Sequence, residues 1–276
     1  MKKVKKLTTI KISKSNEIVK SEVVYNENQD IILHINFDDF GNIETKIEFE
    51  FDENKNCIKE INYYDEESVS ESITNIYNEN NKIVKSVTEY ADGSTSIKTV
   101  AVNSAQSEQI IETHDEDGLL EAKEVNFYKD GLLVKHLIYD EDNKLVNEVM
   151  NEFDEKQNLI KRVEKNYFEK TEFSTNFEYN EKQNLVKYQK TTAKGIVVEK
   201  LLISYDEHYR IIQQKYSDGI TYKYIFDDEN KTKTEERYDQ QGFLRLQIVS
   251  DISDGETIQF EDYMAYRVEY KYEYFE

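Results

Sequence analysis

Short runs of alternating apolar and polar residues, separated by turns bearing Asp, Asn or Gly, fill nearly the whole chain. In CIKEINY, Cys57, Lys59, Ile61 and Tyr63 share one face, while Ile58, Glu60 and Asn62 take the other. Period two is the signature of a β-strand. IVKSVTEY likewise sets Ile83, Lys85, Val87 and Glu89 against Val84, Ser86, Thr88 and Tyr90. Neither face is uniformly apolar, so the pattern predicts a sheet with extensive solvent contact. No stretch carries the 3.6-residue spacing of a long amphipathic helix.

The turns repeat. FDENKNCIK at Phe51, YNENNKIVK at Tyr77, YDEDNKLVN at Tyr139, FDEKQNLIK at Phe153, YNEKQNLVK at Tyr179 and YDEHYRIIQ at Tyr205 share one pattern. An aromatic is followed by Asp or Asn, an acid, turn-tolerant positions and two aliphatics. Looser copies start at Tyr25, Phe37, His114, Phe226 and Tyr238. Positions 25, 51 and 77 are 26 residues apart, as are 153, 179 and 205. Such a period indicates a supersecondary unit used over and over. Within it, Asp-Gly at YADGS, YKDGL, YSDGI and ISDGE predicts hairpins of type I′. The fifth position of the longer turn holds Gly41, Gly118, Gly242, Asn81, Asn143 or Asn230, residues that tolerate left-handed backbone. Lys55, Gln157, Gln183 and Tyr209 stand there elsewhere.

The expected fold is therefore all-β: a repetitive antiparallel β-hairpin array, a curled extended sheet or solenoid-like, with a two-strand repeat of ~26 residues. At roughly 12–14 residues per strand and turn, about twenty strands fit. Residues 1–24 are read as a basic first strand segment, 25–262 as the repeats and 263–276 as a Tyr-rich last strand. Ala101–Thr113 breaks the period and is the expected irregular seam.

Composition alone would suggest disorder: mean hydropathy is −0.81 and net charge −21. Proline is absent, however, and there are 21 tyrosines, which suit a pleated, half-buried surface. The charge is uneven. Residues 1–20 hold seven lysines against Glu17, leaving the remainder at about −27. Such a field repels nucleic acid and anionic lipid and attracts a basic protein. The basic start lacks the apolar run of a secretory signal, and no run of ~18 apolar residues occurs. The expectation is a cytoplasmic protein without membrane contact, its oligomeric state left open.

Cys57 takes the slot that Ile83, Leu145, Leu159, Leu185 and Ile211 fill in other copies, a packing position. His34, His114, His136 and His208 show no paired metal spacing. No catalytic motif stands out, so neither enzyme activity, cofactor nor metal is expected. The candidate partner-binding residues lie in two places. Asp115, Glu116 and Asp117 precede Gly118, and Asp140, Glu141 and Asp142 precede Asn143; turn chemistry accounts for them better than calcium binding. In YMAYRVEYKYEYFE, Tyr266, Tyr270, Tyr272 and Tyr274 line one strand face, suited to packing or to recognition.

YDQQGFL at Tyr238, FDDFGNI at Phe37 and HDEDGLL at His114 resemble the YD repeats of RHS-type bacterial proteins. The resemblance spans most of 25–260. It implies a bacterial β-hairpin array of the kind that winds into shells around toxic cargo. With the charge, it sets the functional expectation: a non-catalytic acidic module binding a basic protein, most concretely an immunity or antitoxin protein. The alternative is a surface or scaffold repeat that binds carbohydrate or self-associates.

Overall fold

The computed structural model describes residues 3–13, 16–103, 105, 107–251, 260–263 and 266–275. Its regular elements are strands. The first seven are β1 (Val4–Ser13), β2 (Asn16–Tyr25), β3 (Ile31–Phe37), β4 (Ile43–Phe51), β5 (Cys57–Tyr63), β6 (Val69–Tyr77) and β7 (Ile83–Tyr90). Next come β8 (Thr95–Val102), β9 (Glu108–Asp115), β10 (Leu120–Lys129), β11 (Leu132–Tyr139), β12 (Leu145–Phe153), β13 (Leu159–Asn166) and β14 (Thr171–Tyr179). The last are β15 (Leu185–Thr192), β16 (Val197–Tyr205), β17 (Ile211–Tyr216), β18 (Thr221–Asp227), β19 (Thr232–Tyr238), β20 (Leu244–Asp251), β21 (Phe260–Tyr263) and β22 (Arg267–Tyr274). Most of 101–113, expected to be irregular, lies in β8 and β9.

Sequence neighbours pair antiparallel in one 22-stranded sheet. The sheet closes on itself: β1 pairs with β2 and also with β22, from Val4 opposite Tyr274 to Ile12 opposite Arg267. This corrects the expected open, curled or solenoid-like array. An open sheet exposes two rows of unpaired N–H and C=O groups, and closure removes both. By contacts the chain forms two units. One comprises Met1–Ile97, Ile225–Glu235 and Leu246–Glu276; the other comprises Lys98–Tyr224 and Glu236–Arg245.

Most of the motif turns share one geometry. At Asp52, the backbone N–H donates to Asn56 O (3.0 Å) and Lys55 N–H donates back to Asp52 O (3.1 Å). The Asp52 carboxylate accepts from the N–H groups of Asn54 and Asn56 at 2.8 and 2.9 Å. The fourth residue of this loop is left-handed, a type I turn closed by a bulge, and register shifts beside Phe51, Tyr77, Tyr139, Phe153 and Tyr179 mark it. The left-handed slot holds Gly118 at φ +79° and Gly242 at +83°. Lys55, Gln157, Gln183 and Tyr209 adopt it too, at +65°, +66°, +65° and +62°. The polar clamp therefore forces the conformation where glycine is missing. In the 228–231 turn the left-handed residue is Lys231, not Asn230. Of the Asp-Gly pairs, Asp130–Gly131 is left-handed at both residues, as type I′ requires, whereas Gly93 and Gly219 are left-handed in bulged turns like that at Asp52. The ISDGE turn lies outside the described residues.

Little side-chain core backs this ladder. No described side chain is fully buried, and the buried apolar ones are Ile10, Val125, Leu137 and Leu201. Val125 sits opposite both Leu137 and Ile110. The motif tyrosines instead stitch strand to strand. Tyr77, Tyr179 and Tyr205 donate their hydroxyls to the carbonyls of Cys57 (2.8 Å), Leu159 (2.9 Å) and Leu185 (2.8 Å). The aliphatic slot thus needs its backbone for the neighbour, and Cys57 fills it as a small hydrophobe whose thiol pKa burial pushes up.

Lys55→Gly, Gln157→Gly and Gln183→Gly should each stabilise by about 0.5–1 kcal/mol in denaturant unfolding, because glycine removes a left-handed penalty of ~1–2 kcal/mol at some cost in chain entropy. Tyr77→Phe, Tyr179→Phe and Tyr205→Phe should each destabilise by about 0.5–1.5 kcal/mol in the same assay, as expected for a lost hydrogen bond.

Candidate functional site

Antiparallel succession places every second turn at the same end of the sheet. In the unit of Lys98–Tyr224, the β9–β10 and β11–β12 turns are therefore neighbours, about 10 Å apart across two strand spacings. They bring together the six acidic residues singled out from the sequence. Their roles divide. Asp115 Oδ1 accepts from the N–H groups of Asp117 (3.0 Å) and Leu119 (2.8 Å), and Asp140 Oδ1 accepts from that of Lys144 (2.8 Å). Both carboxylates clamp their own turns. Asp142 is tied to Lys144 at 2.6 Å. Glu116, Asp117 and Glu141 are exposed and take part in no ion pair among the described residues.

The strands look different. There, lysines face carboxylates across the sheet: Lys135–Glu148 at 2.9 Å, Lys161–Glu152 at 3.2 Å, Lys190–Glu164 at 2.8 Å and Lys123–Glu112 at 3.1 Å. Lys187 pairs with Glu178 in the same way. Like charges directly opposite destabilise a sheet, so the strand charges arrive matched. The excess acid is left to the turns. At the opposite end of this unit the turns interleave cations: Lys156 with Asp154 and Glu155, Lys182 with Glu181, Arg210 with Asp206 and Glu207. The Asp115–Leu119 turn holds three carboxylates and no base. Lys144, Lys170 and Lys194 stand in turns of this same end, so the excess acid belongs to the turns at Asp115 and Asp140 and not to the end as a whole; that these two turns are neighbours was not legible from net charge and required the parity of the turns.

Tyr266 and the tyrosines of β22 belong to the other unit. Tyr270 lies opposite Thr9 and donates to Glu261 (2.9 Å); Tyr272 lies opposite Leu7 and stacks with Tyr274 at 6.3 Å. Tyr266 stacks on Tyr263 at 4.6 Å, with the Lys11 ammonium 5.1 Å from its ring. Their partners are thus within the chain, and they do not join the acidic turns in one unit. No group of His, Cys, Asp and Glu suited to a metal occurs among the described residues.

No family model matches this chain, and no curated protein does. Solved structures of similar strand architecture include a porin-like protein from Bacteroides uniformis, 11% identical, covering 98% of this chain and 96% of that one, with a TM-score of 0.36. A porin-like protein from Bacteroides vulgatus is 10% identical over 75% of this chain and 100% of its own, with a TM-score of 0.30. The Photorhabdus luminescens Tc holotoxin pore is 8% identical, covering 91% of this chain and 18% of that one, with a TM-score of 0.27.

The expectations of a cytoplasmic location and of no membrane contact are overturned. They rested on the acidic field, on a basic start without the apolar run of a secretory signal, and on the lack of a run of ~18 apolar residues, and the last criterion detects helices alone. No helix here is long and apolar enough to cross a membrane, but that says nothing of strands. A sheet whose first and last strands pair has no free edge, which is the condition for crossing a bilayer with strands. The location is therefore no longer read as cytoplasmic, and a membrane is no longer excluded as a partner.

The clamp carboxylates supply a pH test. Asp38, Asp52 and Asp154 are held below the usual carboxylate range, first by the side-chain amides of Asn42, Asn56 and Asn158 and then by backbone N–H groups. A depressed folded value stabilises fully above the unfolded value near ~4 and is lost as pH falls through the folded one. Melting temperature should rise as pH drops from about 7 toward the pI of 4.7, as acid repulsion fades, then fall below about 4. The triple variant Asp38→Asn, Asp52→Asn, Asp154→Asn should show a shallower acid limb in thermal melts.

Proposed function

We propose that this chain is a non-catalytic protein-binding module that captures a basic partner through the carboxylates of its turns. The most concrete version is an immunity-type antagonist that neutralises a basic toxin by direct binding. One observation carries the reading: strand lysines are matched by strand carboxylates, so the net −21 is presented by exposed turns such as Glu116–Asp117 and Glu141. Charges on projecting turns steer encounter and fix orientation while costing the sheet nothing. The antagonist version draws in addition on the likeness of the turn motif to YD repeats, and neither version depends on which compartment holds the protein.

The chain purified from its native host should bring down a stoichiometric basic protein that is released as salt rises. Glu116→Gln, Asp117→Asn and Glu141→Gln together should slow association about tenfold at low ionic strength and flatten its salt dependence, as measured by stopped-flow or biosensor kinetics. Recovery of no stoichiometric partner, or of a neutral one indifferent to salt, would defeat the proposal.

A further inference from the structure

The most exposed apolar residues share one kind of turn. The six most exposed large apolar side chains among the described residues are Phe40 (91%), Phe168 (87%), Tyr64 (69%), Leu119 (66%), Phe243 (63%) and Ile196 (61%). All six sit in turns that run from an odd-numbered to an even-numbered strand, hence at one end of the sheet in each unit. Phe40 and Tyr64 belong to the unit of β1–β7. Leu119, Phe168, Ile196 and Phe243 belong to the other. A Cβ on Gly219 would lie 3.2 Å from Gln240 Cα, so the turn bearing Phe243 adjoins the one that follows β17.

Isolated exposed hydrophobes need no explanation, but this set departs from its own repeat. At the opposite end of the same unit, the closing residue of the equivalent turn is Asn158, Asn184 or Arg210. Asn158 and Arg210 reach back to Asp154 (2.9 Å) and Asp206 (2.7 Å) and tighten the loop. Leu119, Ile196 and Phe243 occupy that slot without any such bond. Local turn stability favours the amide or guanidinium there, so Leu119 and Ile196 answer to something outside the turn; in the third turn Arg245 supplies the bond to Asp239 (2.6 Å) and its guanidinium lies 5.7 Å from the Phe243 ring, which stays 63% exposed. Tyr209, 52% exposed, is the aromatic exception among the polar tips of the opposite end.

We infer that the tips of Leu119, Phe168, Ile196 and Phe243 form the anchoring half of a docking rim whose steering half is Glu116, Asp117 and Glu141, and that its occupant is a basic protein segment carrying apolar side chains. This rests on the acid-capture reading and names where and how the partner seats. Charge complementarity selects the occupant. The carboxylates adjoin Leu119, whereas Phe168 and Ile196 are flanked by the mixed charges of Glu169, Lys170 and Lys194, so a segment basic at one end and apolar along the rest fits in one direction. A second copy of this chain would bring the same carboxylates against these and be repelled.

The test uses the full chain and two synthetic peptides of equal charge and about eighteen residues, each opening with a run of Lys and continuing with alternating Leu and Ser (Lys-Leu) or with Ser alone (Lys-Ser), with binding read by fluorescence anisotropy. The wild-type chain should prefer Lys-Leu by about tenfold. Leu119→Asn, Ile196→Asn and Phe243→Asn install a residue the repeat already uses in that slot, and Phe168→Asn replaces a side chain that is 87% exposed, so with all four the far-ultraviolet spectrum and melting should hold. That variant should lose the preference to within about twofold. The variant Glu116→Gln, Asp117→Asn, Glu141→Gln should weaken both peptides and keep the preference. Equal binding of the two peptides by the wild type, or a preference unchanged in the tip variant, would overturn the docking rim alone. So would a dimer in sedimentation that the tip variant dissolves. Failure of both peptides to bind would overturn the acid-capture reading and the rim with it.

Discussion

Hydrogen bonding between neighbouring backbones is what this molecule stands on. A sheet of 22 strands with no fully buried side chain among the described residues has little hydrophobic burial to draw on, so each strand is held by the one on either side. In such a sheet a free edge is both a loss of pairing and an invitation to aggregate. The pairing of β1 with β22 removes it, and the Lys11 ammonium of β1, 5.1 Å from the Tyr266 ring just before β22, adds a side-chain contact across that seam. Three motif tyrosines, Tyr77, Tyr179 and Tyr205, serve the same end, each lending its hydroxyl to a carbonyl of the adjacent strand.

Register is the second requirement, because a slip of one residue would turn every side chain to the wrong face. The Asp or Asn after each aromatic fixes it by binding the loop backbone, and a left-handed residue closes the turn. That clamp is strong enough to hold Lys55 and Gln157 where glycine would be easier. Much of the acidity of the chain is therefore structural. Asp115 and Asp140 belong to the scaffold, while Glu116, Asp117 and Glu141 are spare.

Matching charge across strands has a consequence for function. Once Lys135, Lys161 and Lys190 are matched with carboxylates, the sheet presents little unbalanced charge, and the turns hold the surplus. Turns project and tolerate change, so a recognition surface placed there leaves the ladder undisturbed. The closed sheet also changes how the lack of a long apolar segment is to be understood, since strands meet a bilayer by rules that such a segment does not express.

The hairpin architecture, the 26-residue period, the turn positions and the packing role of the Cys57 slot were legible in the sequence, because each depends on residues within one or two turns of each other. Asp52 clamps Asn56; Phe51 opposes Cys57. What only the tertiary structure decided involves residues far apart. Val4 and Tyr274 carry no local sign that they are partners. Nor can a single turn show which end of the sheet it occupies. The parity of strands sorts Leu119, Phe168 and Ile196 to one side and Asn158 and Asn184 to the other, and a period of two strands per repeat places equivalent residues on a shared rim only once the whole ladder is assembled.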